Sequence, residues 1–288
     1  MEFVVTDKIL YSPTEVHNLL AQNNTVIIDI REDKDFEKNH IPGAVSIPDI
    51  FFFLAETTDE GLEEFQNKFK ELFSAAGITP DKKVIIYEDA FDKRYGASCR
   101  GYWFLSYLGH TDTGILDGGY SAWNEAGLPV NDKIQTPEPS NFEINLHDDI
   151  IATKDEVLAS LDNPEIKLLD NRDKEEWIGV SSSPYGADFA PRKGRIPGTR
   201  WIEWYNFMER TEGLPYFKSS ENIRALCAEY GLYPDDNIII YCFKGARASN
   251  TYVAMKLAGF KHLRNYLGSW NEWSRDDTLP IDSDVYPN

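Results

Sequence analysis

The chain has 288 residues, 42% hydrophobic and 27% charged, with a formal net charge of −19. Such a length suggests two domains, and the acidic balance argues against nucleic acid or an anionic membrane surface as partner, because both demand a concentrated basic face. The three cysteines (Cys99, Cys227, Cys242) and five scattered histidines form no disulfide framework and no metal-ligand spacing.

No stretch approaches the roughly 20 apolar residues of a membrane helix. Residues 1–6 lack a basic segment leading into an apolar one. A cytoplasmic protein with no metal and no organic cofactor is expected.

In chain order, Ser12-Pro13-Thr14-Glu15 reads as a capping box: a hydroxyl N-cap with Glu three residues later. Val26-Ile27-Ile28-Asp29-Ile30-Arg31 is an apolar run ending in Asp-x-Arg, the pattern of a buried parallel strand. His40-Ile41-Pro42-Gly43 follows. A second apolar run, Val84-Ile85-Ile86-Tyr87, ends at Glu88, and Asp117-Gly118-Gly119-Tyr120 leads to Trp123. Then the pattern restarts. Thr153-Lys154-Asp155-Glu156 is the second capping box, and Leu168-Leu169-Asp170-Asn171-Arg172 the second Asp-x-Arg run. Arg195-Ile196-Pro197-Gly198, Ile238-Ile239-Ile240-Tyr241 and Gly268-Ser269-Trp270-Asn271-Glu272-Trp273 complete the copy. Five matches in one order define an internal repeat.

The repeat places one domain at 1–130, a linker at 131–148 around Pro137 and Pro139, and a second domain at 149–288. Within each copy, short apolar strands alternate with helix-length amphipathic segments. The expected fold class is α/β, two similar domains, each a parallel sheet with helices on both faces. The second copy has a longer loop between Trp177 and Arg195.

The copies differ where chemistry would sit. The strand ending at Tyr241 runs into Cys242-Phe243-Lys244-Gly245-Ala246-Arg247, and a helix over 248–258 follows, ended by Gly259. Strand, tight loop and helix put Cys242 at the carboxyl edge of a parallel sheet, the edge ligands favour. Loop amides that open a helix have no intrahelical partner, and the helix dipole adds positive charge, so an anion is stabilised there. Gly245 permits the turn. With Lys244 and Arg247 beside it, Cys242 reads as an ionised nucleophile in an anion cradle, needing no separate base. In the first copy Glu88 takes the cysteine's place, and its loop, 89–95, is longer.

On these residues the chain resembles the rhodanese family of thiosulfate and mercaptopyruvate sulfurtransferases. The Asp-x-Arg strand end, the Ile-Pro-Gly segment, the strand-to-Cys loop closing with Arg and the Gly-x-Trp-x-Glu-Trp motif occur in the family's order. The resemblance implies ping-pong sulfur transfer through a Cys242 persulfide, from thiosulfate to cyanide or a thiol, in the second domain alone. It implies that amides from Phe243 through Gly245 and Ala246 to Arg247 hold the persulfide, while Lys244 and Arg247 hold the donor's sulfonate. Basic residues in this loop favour thiosulfate over mercaptopyruvate. Some relatives carry a donor-binding Arg four residues after the Asp-x-Arg arginine; here Glu176 stands there, which counts against a carboxylate donor. Arg192, Lys193 and Arg195 in the long loop are candidate replacements.

Arg172, repeated as Arg31 in the copy without a nucleophile, fits a structural ion pair with Asp170 better than a substrate contact, and Arg195 is a second candidate contact. His40 lies in the silent copy. Phe243 and Trp201 fit a pocket wall or core packing, while Trp270 and Trp273 fit packing of the last helix. Two rival functions remain open. A cysteine phosphatase or arsenate reductase uses Cys-x5-Arg, one residue wider than the Cys-x4-Arg of Cys242 and Arg247. A persulfide carrier that delivers sulfur to a protein partner would keep the same nucleophile.

Overall fold

Both capping boxes form, and each sets the start of its copy. Ser12 and Thr153 accept the amides of Glu15 and Glu156, whose carboxylates receive the cap amides in return. The computed structural model describes residues 8–283. Residues 1–6, read above as carrying no secretory signal, lie outside the described residues apart from this reading.

The chain divides into two compact units. Unit 1 comprises the described residues up to Phe53, then Glu63–His147 and Arg210–Tyr216; unit 2 comprises Leu54–Leu62, Asp148–Glu209 and the described residues from Phe217 on. The elements of the first copy are β1 (Leu10–Tyr11), α1 (Pro13–Leu20), β2 (Thr25–Asp29), α2 (Asp33–Lys38), β3 (Ala44–Ser46), α3 (Asp49–Phe52), α4 (Asp59–Ala75), β4 (Lys83–Tyr87), α5 (Ala97–Tyr107), β5 (Thr113–Leu116) and α6 (Gly119–Glu125). Its sheet runs β1-β5-β4-β2-β3, every pairing parallel.

The second copy runs β6 (Ile151–Ala152), α7 (Lys154–Ser160), β7 (Ile166–Asp170), α8 (Lys174–Trp177), β8 (Arg200–Trp201), the hairpin strands β9 (Met208–Thr211) and β10 (Leu214–Phe217), α9 (Ser220–Glu229), β11 (Asn237–Tyr241), α10 (Ala246–Leu257), β12 (His262–Tyr266) and α11 (Ser269–Trp273). Its sheet, β6-β12-β11-β7-β8, is also parallel throughout and has the same order.

These are two α/β domains of one topology. The hairpin β9-β10 has no counterpart in the first copy's element order. Parallel strands covered by helices must be apolar on both faces, and β4 and β11 are: each buries its last four residues. The registers match too, Ile86 pairing with Ile115 and Ile240 with Asn265.

The Asp-x-Arg motif closes the same corner in each unit. Asp29 binds the Arg31 side chain and its amide at 2.8–3.1 Å, and Tyr87 donates to Asp29. The Tyr87 hydroxyl in turn receives the Ile41 amide at 3.3 Å. In unit 2, Asp170 holds Arg172 at 2.6–3.0 Å, and the Tyr241 hydroxyl receives the Ile196 amide at 3.2 Å. The motif thus pins the Ile-Pro-Gly segment to the sheet, which explains its recurrence in a copy without a nucleophile.

The 131–147 segment has no helix or strand, yet it is tied down within unit 1. Ser140 and Phe142 bond to the end of α4 through Ser74, and Asn145 bonds to Leu108. Among the described residues no helix is long and apolar enough to cross a membrane.

Candidate active site

Cys242 follows β11 directly and is buried. Gly245, at φ 84°, turns the chain so sharply that α10 begins at Ala246, two residues before the sequence pattern suggested. The turn aims the Gly245 amide at the Cys242 sulfur, 3.1 Å away. The sulfur thus lies at the N-terminus of a twelve-residue helix, where the helix dipole favours an anion.

The loop is held from the far side by α11. Trp270 and Asn271 donate their amides to the Cys242 and Phe243 carbonyls at 3.0 and 2.9 Å. Ser269 sits at φ 53°, a strained conformation for a residue with a Cβ. Its hydroxyl receives the Cys242 amide at 3.2 Å and donates to the Tyr266 carbonyl at 2.7 Å. Ser269 escaped the sequence reading, although Gly119, its counterpart at φ 64°, marked the left-handed position.

Arg247 has a different setting from the one expected. Its guanidinium binds the buried Glu176 carboxylate at 2.6 and 3.1 Å and Asp173 at 3.0 Å. Burial opposes its charge, but Glu176 and, more weakly, Cys242 hold its pKa well above the ordinary value. Glu176 therefore faces the loop arginine. Lys244 is buried too, its ammonium 5.3 Å from the Tyr185 ring centre, and Tyr185 packs on Phe243 at 5.0 Å. Phe243 belongs to the apolar core of unit 2 with Trp270 and Trp273.

The remaining candidates have partners of their own. Arg172 is fully buried on Asp170, donates to the Gly194 carbonyl at 2.8 Å and lies over Trp270. Arg195 pairs with Asp282 at 2.7 Å and lies over the Trp177 ring. Arg192 donates to carbonyls of Trp273, Ser274, Asp276 and Leu279, so the long loop is fastened to the end of α11. His40 stacks on Phe36 within unit 1. Cys99 and Cys227 are buried in α5 and α9, and burial pushes the Cys227 thiol up to about 12. Among the described residues no group of His, Cys, Asp and Glu is placed to hold a metal.

Unit 1 has the same cradle with a different occupant. The Glu88 carboxylate lies on the N-terminus of α5, accepting the Ala97 and Ser98 amides at 3.1 Å and the Ser98 hydroxyl at 2.7 Å. Tyr120 and Ser121 amides hold its loop as Trp270 and Asn271 do in unit 2. Burial raises its pKa to about 7 despite those bonds.

Two parallel α/β domains, one with a cysteine and the other with a carboxylate in a shared helix-capped loop, define a tandem protein with a single thiol site. The rhodanese-like domain profile matches residues 12–126 and 153–276, so the chain belongs to the rhodanese family. Among its relatives is the sulfur carrier protein TtuD of Thermus thermophilus, 30% identical over 284 residues and covering 95% of this chain and 96% of that one. The thiosulfate sulfurtransferase of Azotobacter vinelandii is 25% identical, covering 95% and 97%. The anaerobic ergothioneine biosynthesis enzyme of Chlorobium limicola, solved with its natural substrate trimethyl histidine, shares the fold with a TM-score of 0.83 at 22% identity, covering 97% of this chain and 71% of that one.

Proposed function

We propose that this protein is a sulfurtransferase that carries sulfane sulfur on Cys242, with thiosulfate as donor. The Cys242 thiolate attacks the outer sulfur of thiosulfate; a new S–S bond forms, the donor's S–S bond breaks, and sulfite leaves with that bonding pair. Cyanide or a thiolate then attacks the outer sulfur of the persulfide and restores the Cys242 thiolate. Donor, nucleophile and leaving group are all anions, so what the site must supply is anion stabilisation.

The observation that carries this reading is the Gly245 amide 3.1 Å from the Cys242 sulfur, at the start of α10. Amides of Phe243 through Arg247 line the cradle, and Lys244 is the cation assigned to the sulfonate. Arg247, bound to Glu176 and Asp173, contributes positive field to the cradle. Arg172 and Arg195, each bound to a carboxylate, serve the fold in this reading.

The test is intact-mass analysis after exposure to thiosulfate. One added sulfur atom is expected on the parent and none on Cys242→Ser, with Cys227 unmodified in both. An unmodified parent would overturn the proposal, and hydrolysis of an aryl phosphate in place of sulfur uptake would favour a phosphatase.

A second reading, transfer to a protein acceptor, draws on the name of the Thermus relative. Faster discharge of the persulfide by a candidate protein than by small thiols would support it.

A further inference from the structure

The two copies differ beneath their loops in a way the thiol alone does not explain. In unit 1 the strand-end positions under α5 are Ile30 and Ile115, both fully buried. Ile30 packs so close to Gly101 of α5 that a Cβ there would lie 3.2 Å from it. In unit 2 the same positions, set by the Asp-x-Arg motif and by the paired registers of β11-β12 and β4-β5, are Asn171 and Asn265. Both are fully buried.

Each asparagine reaches a carbonyl of the cysteine loop or the first turn of α10. Asn265 Nδ2 donates to the Gly245 carbonyl at 3.3 Å and to Ser249 Oγ at 2.9 Å. Asn171 Nδ2 donates to the Arg247 carbonyl and to Thr251 Oγ1, each at 2.7 Å. A carbonyl only accepts, so the side-chain atom facing it must be nitrogen. That orientation leaves Oδ1 of both residues buried without a partner among the described residues. An unsatisfied buried acceptor costs stability, and the isoleucines of unit 1 show that the fold tolerates an apolar residue at both positions.

We infer that Asn171 and Asn265 are positioning residues for sulfur transfer, holding the Gly245 and Arg247 carbonyls toward the core so that loop amides face Cys242. A trans peptide is planar, with its C=O and N–H pointing in opposite directions. Fixing the Gly245 carbonyl inward therefore directs the Ala246 N–H outward, and the bond from Asn265, added to those from the Ser249 amide and hydroxyl at 2.9 and 2.7 Å, strengthens that N–H as a donor. Unit 1, whose cradle holds its own carboxylate, has no need of the device.

This inference rests on the sulfur-transfer reading. Its test uses the full-length protein with Asn171→Leu and Asn265→Leu, which keep the side-chain shape and remove the amide. Persulfide formation on Cys242 is timed by quenched intact-mass analysis across thiosulfate concentrations, beside thermal unfolding. The saturating rate is expected to fall roughly tenfold or more in each variant, with the half-saturating concentration within about twofold of the parent and cooperative unfolding retained. A parental rate in folded variants would overturn the inference. If a leucine variant fails to fold, Asn171→Ala and Asn265→Ala are judged by the same criterion.

Alkylation of Cys242 by iodoacetamide separates the asparagine clamp from the sulfur chemistry. If the parent takes up no sulfur, the sulfur-transfer reading fails. In that case slower alkylation of the leucine variants still supports the clamp, and unchanged alkylation removes it.

Discussion

At the residue scale, the site is a set of buried charges whose partners decide what each does. Glu176 and Arg247 are both almost fully buried and bound at 2.6 Å. Deleting Glu176 leaves Arg247 with the part-exposed Asp173 as its remaining named carboxylate, a poorer match for a buried charge. Glu176→Leu is expected to cost about 3 kcal/mol in urea unfolding, whereas Glu176→Leu with Arg247→Met should recover most of that loss. An equal loss in the double variant would show that the pair matters through packing rather than charge. Much of the site was legible in order. The Cys242–Arg247 segment and Glu88 stand out because strand, glycine turn and helix lie consecutively in the sequence. The bonds of Arg247 to Glu176, Asn171 to the Arg247 carbonyl and Ser269 to the Cys242 amide join separate elements, so no local pattern announces them.

At the element scale, α5 and α10 present the same N-terminus to different side chains, Glu88 and Cys242, and Glu88 makes a pH-dependent difference. Its pKa rises from 4.5 to about 7 on burial. Below the lower value folded and unfolded chains both hold the proton, and above the higher value neither does. Between them only the folded chain is protonated, so stability falls as pH climbs through that window. The fall attributable to Glu88 is up to about 3 kcal/mol. Glu88→Gln is expected to flatten the stability of unit 1 between pH 4.5 and 7, measured by denaturant unfolding at several pH values; an unchanged slope would assign it to other groups. The element boundaries were readable where a cap or glycine marks them, as at Ser12, Thr153 and Gly245. The β9-β10 hairpin was not, because Arg210-Thr211-Glu212-Gly213 is a polar turn with no repeat partner to reveal it.

At the scale of the whole molecule, the duplication seen in the sequence and the compact units of the structure do not share a boundary. Leu54–Leu62 comes from the first copy yet belongs to unit 2. There the Thr57 amide and hydroxyl donate to Glu272, at 2.6 and 2.7 Å, and its oxygen accepts the Lys154 amide at 2.8 Å. Glu272 is buried and its pKa is raised by that burial, so it depends on these donors. A fragment of residues 149–288 retains every loop residue around Cys242 but loses Thr57. It is expected to unfold at lower denaturant than unit 2 in the intact chain, and adding a peptide of residues 54–62 should restore part of the difference. A fragment as stable as the intact unit would dismiss Thr57 as a structural tie.

That borrowed threonine also bears on ancestry. Separation at the seam between the repeats would release a second half whose buried Glu272 has lost both Thr57 donors, so losing the first half carries a stability cost that a change at Glu272 would have to offset.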